Sequence, residues 1–92
     1  MIKSFSHKGL EDFFYDGMKK GLQPKHVHKI GDILDPLDAA AAIEDMNFPG
    51  SGLHPLKGER KGEWAVEVSG NWRIAFKFVN GNAHDVSYED YH

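Results

Sequence analysis

Apolar residues recur along this chain with two different periods, and the change from one to the other divides it near its middle. Leu10, Phe13, Phe14 and Met18 fall at i, i+3, i+4 and i+8. That is one face of a 3.6-residue period and predicts a helix over His7–Met18. Gly17 weakens its end, and Gly21 is the natural stop. Val27, Ile30, Leu34, Leu37 and Ala41 form the stripe of a second helix. Gln23-Pro24-Lys25 opens it, with the proline tolerated in the first turn. Pro36 has no N–H to give to the carbonyl of Asp32, so this helix is expected to kink or to break briefly. With Asp35 as N-cap it would restart and run to about Asp45. Asn47 to Gly52 then reads as a loop, and Ile2 to Phe5 as a short first strand.

The second half alternates with period two. Trp64, Val66 and Val68 interleave with Ala65 and Glu67. Trp72, Ile74, Phe76 and Phe78 interleave with Arg73, Ala75 and Lys77, and Val86 and Tyr88 with Ser87 and Glu89. Three antiparallel strands are predicted, separated by turns at Ser69-Gly70-Asn71 and Asn80-Gly81-Asn82. Burial decides the register. A two-residue Gly70-Asn71 loop would put Val68 on the face of Arg73. A two-residue Asn80-Gly81 loop would put Asp85 beside Phe76 in the core. Three-residue loops instead pair Val68 with Trp72, Val66 with Ile74, Trp64 with Phe76, Phe76 with Val86, and Ile74 with Tyr88. The opposite face then holds Glu67, Arg73 and Glu89 side by side, Lys77 beside Asp85, and Tyr91 diagonal to Arg73. The fold class is α+β: two N-terminal helices packed on a C-terminal antiparallel β-meander with a short N-terminal strand, forming one domain over residues 1–92.

Composition narrows the chemistry. There are no cysteines, which excludes disulfides, thiolate catalysis and Cys-ligated zinc. No apolar run follows the first residues, and no stretch approaches the ~20 apolar residues of a membrane span, so a soluble cytoplasmic protein is expected. The net charge of -3 argues against a general nucleic-acid binder. Residues 54–77 nevertheless hold five basic side chains (Lys57, Arg60, Lys61, Arg73, Lys77) against three acidic ones, a net +2. Residues 33–53 hold Asp35, Asp38, Glu44 and Asp45 with no base, a net -4. Phosphate handling is therefore expected in the second half, and the acidic middle as a solvated face or a partner contact.

Three segments carry candidate chemistry: Leu53-His54-Pro55-Leu56-Lys57-Gly58-Glu59-Arg60, Asn71-Trp72-Arg73-Ile74-Ala75-Phe76, and Tyr88-Glu89-Asp90-Tyr91-His92. Metal-free RNA cleavage requires a proton to leave the ribose 2′-OH and another to reach the 5′ oxygen. It also requires fixed positive charge on the phosphorane. His54, Lys57, Arg73, Tyr91 and His92 supply residue types for each task. Arg73 can grip phosphate oxygens bidentately, with Lys57 as a point charge. His54 or His92 can move protons near neutral pH. Tyr91 serves as a base only if nearby cations bring its pKa well below about 10.

Plainer readings stand beside these. His54 before a proline can be a turn residue, Lys57 a solvated charge, and Arg73 a cross-strand ion pair with Glu67 and Glu89. The last role is compatible with catalysis, since the glutamates would hold the arginine in place. Tyr91 and His92 lie at a chain end, where fraying is the default. Trp64, Trp72, Phe76 and Phe78 read as core. His26 and His28 point to different faces of a helix and read as surface residues. His7 and His84 have no evident partner.

The runs LHPLKGER and NWRIAFKF, followed by the Asn80-Gly81 turn, and the ending YEDYH resemble the HigB group of the RelE toxin superfamily over the whole chain. The resemblance implies a RelE-like fold and a ribosome-dependent mRNA endonuclease acting in the ribosomal A site by 2′-OH attack, with no metal or other cofactor. It implies His54 and Lys57, Arg73, and Asp90, Tyr91 and His92 as site residues, to which the sheet register adds Glu67 and Glu89 in support. It also implies a HigA-type helix-turn-helix antitoxin as partner, through which the complex would bind operator DNA. The low pI of ≈ 6.0 implies weak affinity for free RNA, with the ribosome supplying placement. ParE-type toxins share the fold and inhibit DNA gyrase without nuclease chemistry, and an inactive antitoxin-binding module is a further alternative.

Overall fold

Both helices form, and both stop sooner than their apolar patterns imply. The computed structural model describes residues 1–91, so His92, one of the candidate site residues, lies outside the described part. Helix α1 spans Lys8–Asp16. His7 caps it, its Nδ1 accepting the Leu10 amide at 3.1 Å. This satisfies one of the amides that a helix start leaves open. Gly17, at φ 72°, ends the helix. Met18 therefore falls beyond it and is exposed, outside the apolar face predicted for it. Leu10 is fully buried, and Phe13 and Phe14 pack against the core.

A 3-10 turn over Pro24–His26 leads into α2, Val27–Ala39. Pro36 neither breaks α2 nor restarts it; the helix runs through the proline and ends three residues later. Ile33, Leu34 and Leu37, on both sides of Pro36, are buried in the core. Their packing outweighs one lost backbone hydrogen bond in the final turn. Ala40 leaves in an extended conformation, so Ala41 is exposed and not part of the stripe. Two of the acidic residues of the middle segment are used internally. Asp38 accepts the Ile2 amide, and Asp45 accepts the amides of Ala41 and Ala42.

The sheet has four antiparallel strands in the order β1-β2-β3-β4: His54–Pro55, Glu63–Ser69, Trp72–Val79 and Asn82–Asp90. The first strand is only two residues long and is not among the three that alternation predicts. Conversely, Ile2 to Phe5 is not a regular strand. Ile2 and Phe5 make isolated parallel bridges to Ala83 and Val86 on β4.

Across the body of the sheet the predicted register holds: Trp64 faces Phe76, Val66 faces Ile74, and Ile74 faces Tyr88. The loops differ. Ser69 pairs with Trp72 and Val79 with Asn82, so each connection has two residues, not three. Asn80 and Gly81 take φ 52° and 77°, the left-handed pair that a two-residue hairpin turn demands. The extra residue that burial requires sits in the strands as a register shift, between Glu67 and Ser69 on β2 and opposite Phe76 on β4. Asp85, at φ 53°, adopts the turned conformation there, with its amide on Ser4 Oγ at 2.9 Å. Each bulge flips one side chain away from the core, as a third loop residue would have done. The helices and the fully buried Phe76, Ile74 and Met46 fill one side of the sheet. The other side carries the charged groups.

Candidate active site

The outer face of the sheet is laid out in rows by the register. His54, Ala65, Ala75 and Ser87 form one row, Glu67, Arg73 and Glu89 the next, and Glu63 and Lys77 the row on the other side. The trio predicted from alternation is thus assembled as expected. Lys77 also reaches Asp85 at 3.3 Å.

Arg73 is the least exposed of the ion-paired cations of this face. Its Nε donates to Glu89 Oε1 at 3.0 Å, and its side chain is only 12% exposed. Its guanidinium carbon lies 4.1 Å from the centroid of the Tyr91 ring, a cation–π stack. One edge is held by a carboxylate and one face by an aromatic ring. Neither Nη group makes a hydrogen bond among the described residues, and the two are the pair of donors that matches two phosphate oxygens. Glu67, on the other side of Arg73, leans its carboxylate against Gly52. A Cβ at Gly52 would meet it at 2.7 Å, and Gly52 itself has φ +58°.

That glycine also orients the imidazole. His54 Nδ1 lies 2.8 Å from the Gly52 carbonyl. A carbonyl only accepts, so Nδ1 carries the proton and donates. The lone pair of the neutral ring is left on Nε2, free to take a proton from a substrate hydroxyl. Strand spacing of ~4.8 Å and ~3.4 Å per residue put the Cα atoms of His54 and Arg73 roughly 12 Å apart. The two side chains and a phosphodiester between them fill such a span.

Lys57 is less closely integrated. It caps the 3-10 turn Gly58–Arg60 through its backbone and is exposed. With Leu56, Lys61 and Trp64 it lines a cavity of about 330 Å³ at the sheet edge, and it makes no ion pair among the described residues. Asp90 pairs with Trp72 at the end of β4, and Tyr91 follows with its amide on the Asn71 carbonyl at 3.0 Å. The C-terminal segment is therefore anchored at least to Tyr91.

One residue of this face counts in the sequence as a basic charge but not as part of the site. Arg60 donates from Nε and Nη2 to both oxygens of Glu63, at 3.2 and 2.9 Å, and from Nη1 to Glu89 at 2.7 Å. These bonds hold the Glu63 carboxyl below the usual carboxylate range and raise the Arg60 guanidinium further still. Arg60 has no periodic signal. Its only trace in the sequence is the excess of carboxylates around Arg73, which calls for a second cation.

Two histidines are placed differently from the sequence reading. His26 is a core residue, 2% exposed, with Nδ1 hydrogen-bonded to the Tyr88 hydroxyl at 2.6 Å. It also packs on Trp72, ring centroids 5.7 Å apart. Its neighbour His28 is exposed and faces Asp32. His7, without a partner in the sequence, caps α1 and sets its ring edge-on to Tyr88 at 5.5 Å. Among the described residues no three His, Asp or Glu side chains converge as a metal site.

Residues 3–92 match the family described as the RelE-like toxin of type II toxin–antitoxin system HigB. The chain belongs to this family. It is 48% identical over 92 residues to the Endoribonuclease HigB of Proteus vulgaris, covering the whole of both chains. It is 33% identical over 85 residues to Toxin HigB-1 of Vibrio cholerae, covering 90% of each. A HigB-like toxin of a type II system has an antitoxin as partner. No helix among the described residues is long and apolar enough to cross a membrane.

Proposed function

We propose that this toxin is an endoribonuclease that cuts translated messenger RNA in the ribosomal A site by 2′-OH attack without a metal, stopping translation and growth. The observation that carries this reading is the state of Arg73. It is fixed through Nε by Glu89 and across its face by Tyr91, on the same sheet face as a histidine whose Nδ1 is held by the Gly52 carbonyl. A protein that acts only by binding has no use for such a pairing. The name of the Proteus vulgaris relative, an endoribonuclease, supports the same reaction.

In this scheme His54 Nε2 takes the proton of the ribose 2′-OH, whose oxygen attacks the adjacent phosphorus. Arg73 binds two nonbridging oxygens and offsets the charge that builds on them, with Lys57 adding a point charge from the lip of the site. The bond from phosphorus to the 5′ oxygen breaks, leaving a 2′,3′-cyclic phosphate. A proton from the C-terminal group, Asp90, Tyr91 and His92, reaches the departing oxygen. The whole chain acts as one toxin domain in the cytoplasm. A HigA-type antitoxin restrains it and carries the DNA-binding function of the complex.

A cell-free translation reaction read by primer extension tests this. A reporter mRNA with and without ribosomes is exposed to the parent chain or to Arg73→Ala. Cuts within translated codons, absent without ribosomes and absent with the variant, are expected. No cuts in any sample, with growth inhibition in cells retained, would overturn the reading in favour of gyrase binding.

A further inference from the structure

We propose that Arg60 is the positioning residue of this site, keeping the phosphate-binding edge of Arg73 open by taking its share of Glu89. The inference rests on the nuclease reading above. Glu89 Oε1 is shared by two guanidinium groups, accepting from Arg73 Nε at 3.0 Å and from Arg60 Nη1 at 2.7 Å. The remaining donors of Arg60 toward the sheet are spent on Glu63, bidentately. Arg60 thus fastens a carboxylate of β2 to a carboxylate of β4 across the intervening strand.

The register places Ala75 of β3 midway between Glu63 and Glu89, with Ala65 beside it. Both alanines point to the outer face, yet both are fully buried. A larger side chain there would stand where the guanidinium crosses.

An exposed ion pair is usually worth little, but this one does three specific things. It pins the turn that carries Lys57 to the sheet. It offsets charge on a face where Glu63, Glu67 and Glu89 surround Arg73, a field that would otherwise repel a phosphate. It also occupies Glu89 from the far side. Without Arg60, the freed Glu89 carboxylate can swing further onto Arg73 and close a fork over Nε and one Nη, taking one of the two donors that a phosphate needs. Arg60 touches only carboxylates in this arrangement, so its effect on the reaction runs through Arg73.

The test compares the parent, Arg60→Ala, Arg60→Lys, Arg73→Ala and the double variant Arg60→Ala/Arg73→Ala in single-turnover cleavage of ribosome-bound mRNA. Toxin concentration is varied to separate binding from the rate at saturation. Arg60→Ala is expected to lower the saturating rate about 10- to 100-fold, as small misplacements of a catalytic group do. The half-saturating concentration should stay within about twofold. The double variant should cut no more slowly than Arg73→Ala alone. Arg60→Lys should not rescue, because an ammonium cannot hold Glu63 bidentately and still reach Glu89.

Glu63→Gln loosens Arg60 without removing it and serves if Arg60→Ala does not fold; an intermediate loss is expected. An effect of Arg60→Ala that simply multiplies with that of Arg73→Ala, or parent-level cutting by Arg60→Ala, would overturn the proposal. A readout without RNA separates it from the nuclease reading. The Arg73 Nε–H proton, observed by NMR, should exchange with solvent at a different rate in folded Arg60→Ala than in the parent. An unchanged exchange rate would also overturn the proposal, whether or not the parent cuts RNA.

Discussion

Arg73 holds Glu89 through Nε alone, at 3.0 Å, and keeps the opposite edge of its guanidinium for something else. An arginine serving only the fold would be expected to use the fork. Arg73→Ala is therefore expected to fold, because Glu89 keeps Arg60 as its partner, at a cost of about 1 kcal/mol. Cleavage should fall by about 100-fold or more, the usual loss when a donor to a developing oxyanion is removed. Arg73→Lys should recover little, since a point charge replaces two parallel donors. Thermal melting followed by circular dichroism, together with cleavage on ribosomes, checks both halves. A variant that folds and cuts like the parent would remove Arg73 from the site.

Gly52 joins the two halves of the site. Its carbonyl fixes the His54 ring, and its missing Cβ makes room for Glu67. Gly52→Ala meets both a left-handed backbone at φ +58° and a contact of 2.7 Å with the Glu67 side chain. The expected cost is about 1–3 kcal/mol. Cleavage should drop further than the lost stability explains, because the His54 tautomer is no longer set. Chemical denaturation measures the first quantity. Imidazole nitrogen shifts measure the second, with Nδ1 protonated in the parent and a mixture of tautomers in the variant.

Much of this site was legible from alternation. Once Trp64, Val66, Ile74 and Phe76 are required to share a buried face, Glu67, Arg73 and Glu89 must line up on the other. The hairpin loops were misjudged for a physical reason. Burial fixes the register but does not say where the compensating residue goes, and the chain stores it as bulges at Val68 and Asp85 instead of in the turns. Aspartate tolerates the left-handed conformation better than most residues, which is the signal that Asp85 offered. Arg60 and His26 were out of reach because their partners are distant in sequence: Glu89 for one, Tyr88 for the other. Of the two outcomes read for Pro36, the break and restart do not occur, since the loss of one hydrogen bond is set against a helix with several fully buried residues.

Tyr91 supports Arg73 through its ring, so its variants separate stacking from hydroxyl chemistry. Tyr91→Phe keeps a face for the guanidinium at 4.1 Å, whereas Tyr91→Ala removes it. Cleavage by the alanine variant is expected at least about tenfold below that of the phenylalanine variant, in line with a partly desolvated cation–π contact. Equal losses in the two variants would mean that the hydroxyl, not the ring, is what the reaction needs.

Stability should fall as the solution becomes mildly acidic, and His26 is a main reason. The ring is 2% exposed, and burial pushes its pKa below the ordinary value, helped by the Lys25 charge. Burial lowers His7 as well, and protonating its Nδ1 would cost α1 its cap. Among the described residues His26 meets the Tyr88 hydroxyl and the Trp72 ring, neither of them a carboxylate that would stabilise an imidazolium. Above pH of about 6.5 the ring is neutral in both folded and unfolded chains, and the fold keeps its full stability. Below that pH the unfolded chain binds a proton that the fold refuses, so the free energy of unfolding declines until the pH passes the lowered folded value. Urea denaturation between pH 7.5 and 5 should therefore show a falling midpoint. His26→Phe keeps an aromatic ring against Trp72 and cannot titrate. It should start less stable, because the Tyr88 hydroxyl loses its partner, but with a shallower slope against pH, the remaining slope including the part due to His7. A slope as steep as that of the parent would show that His26 does not titrate with unfolding.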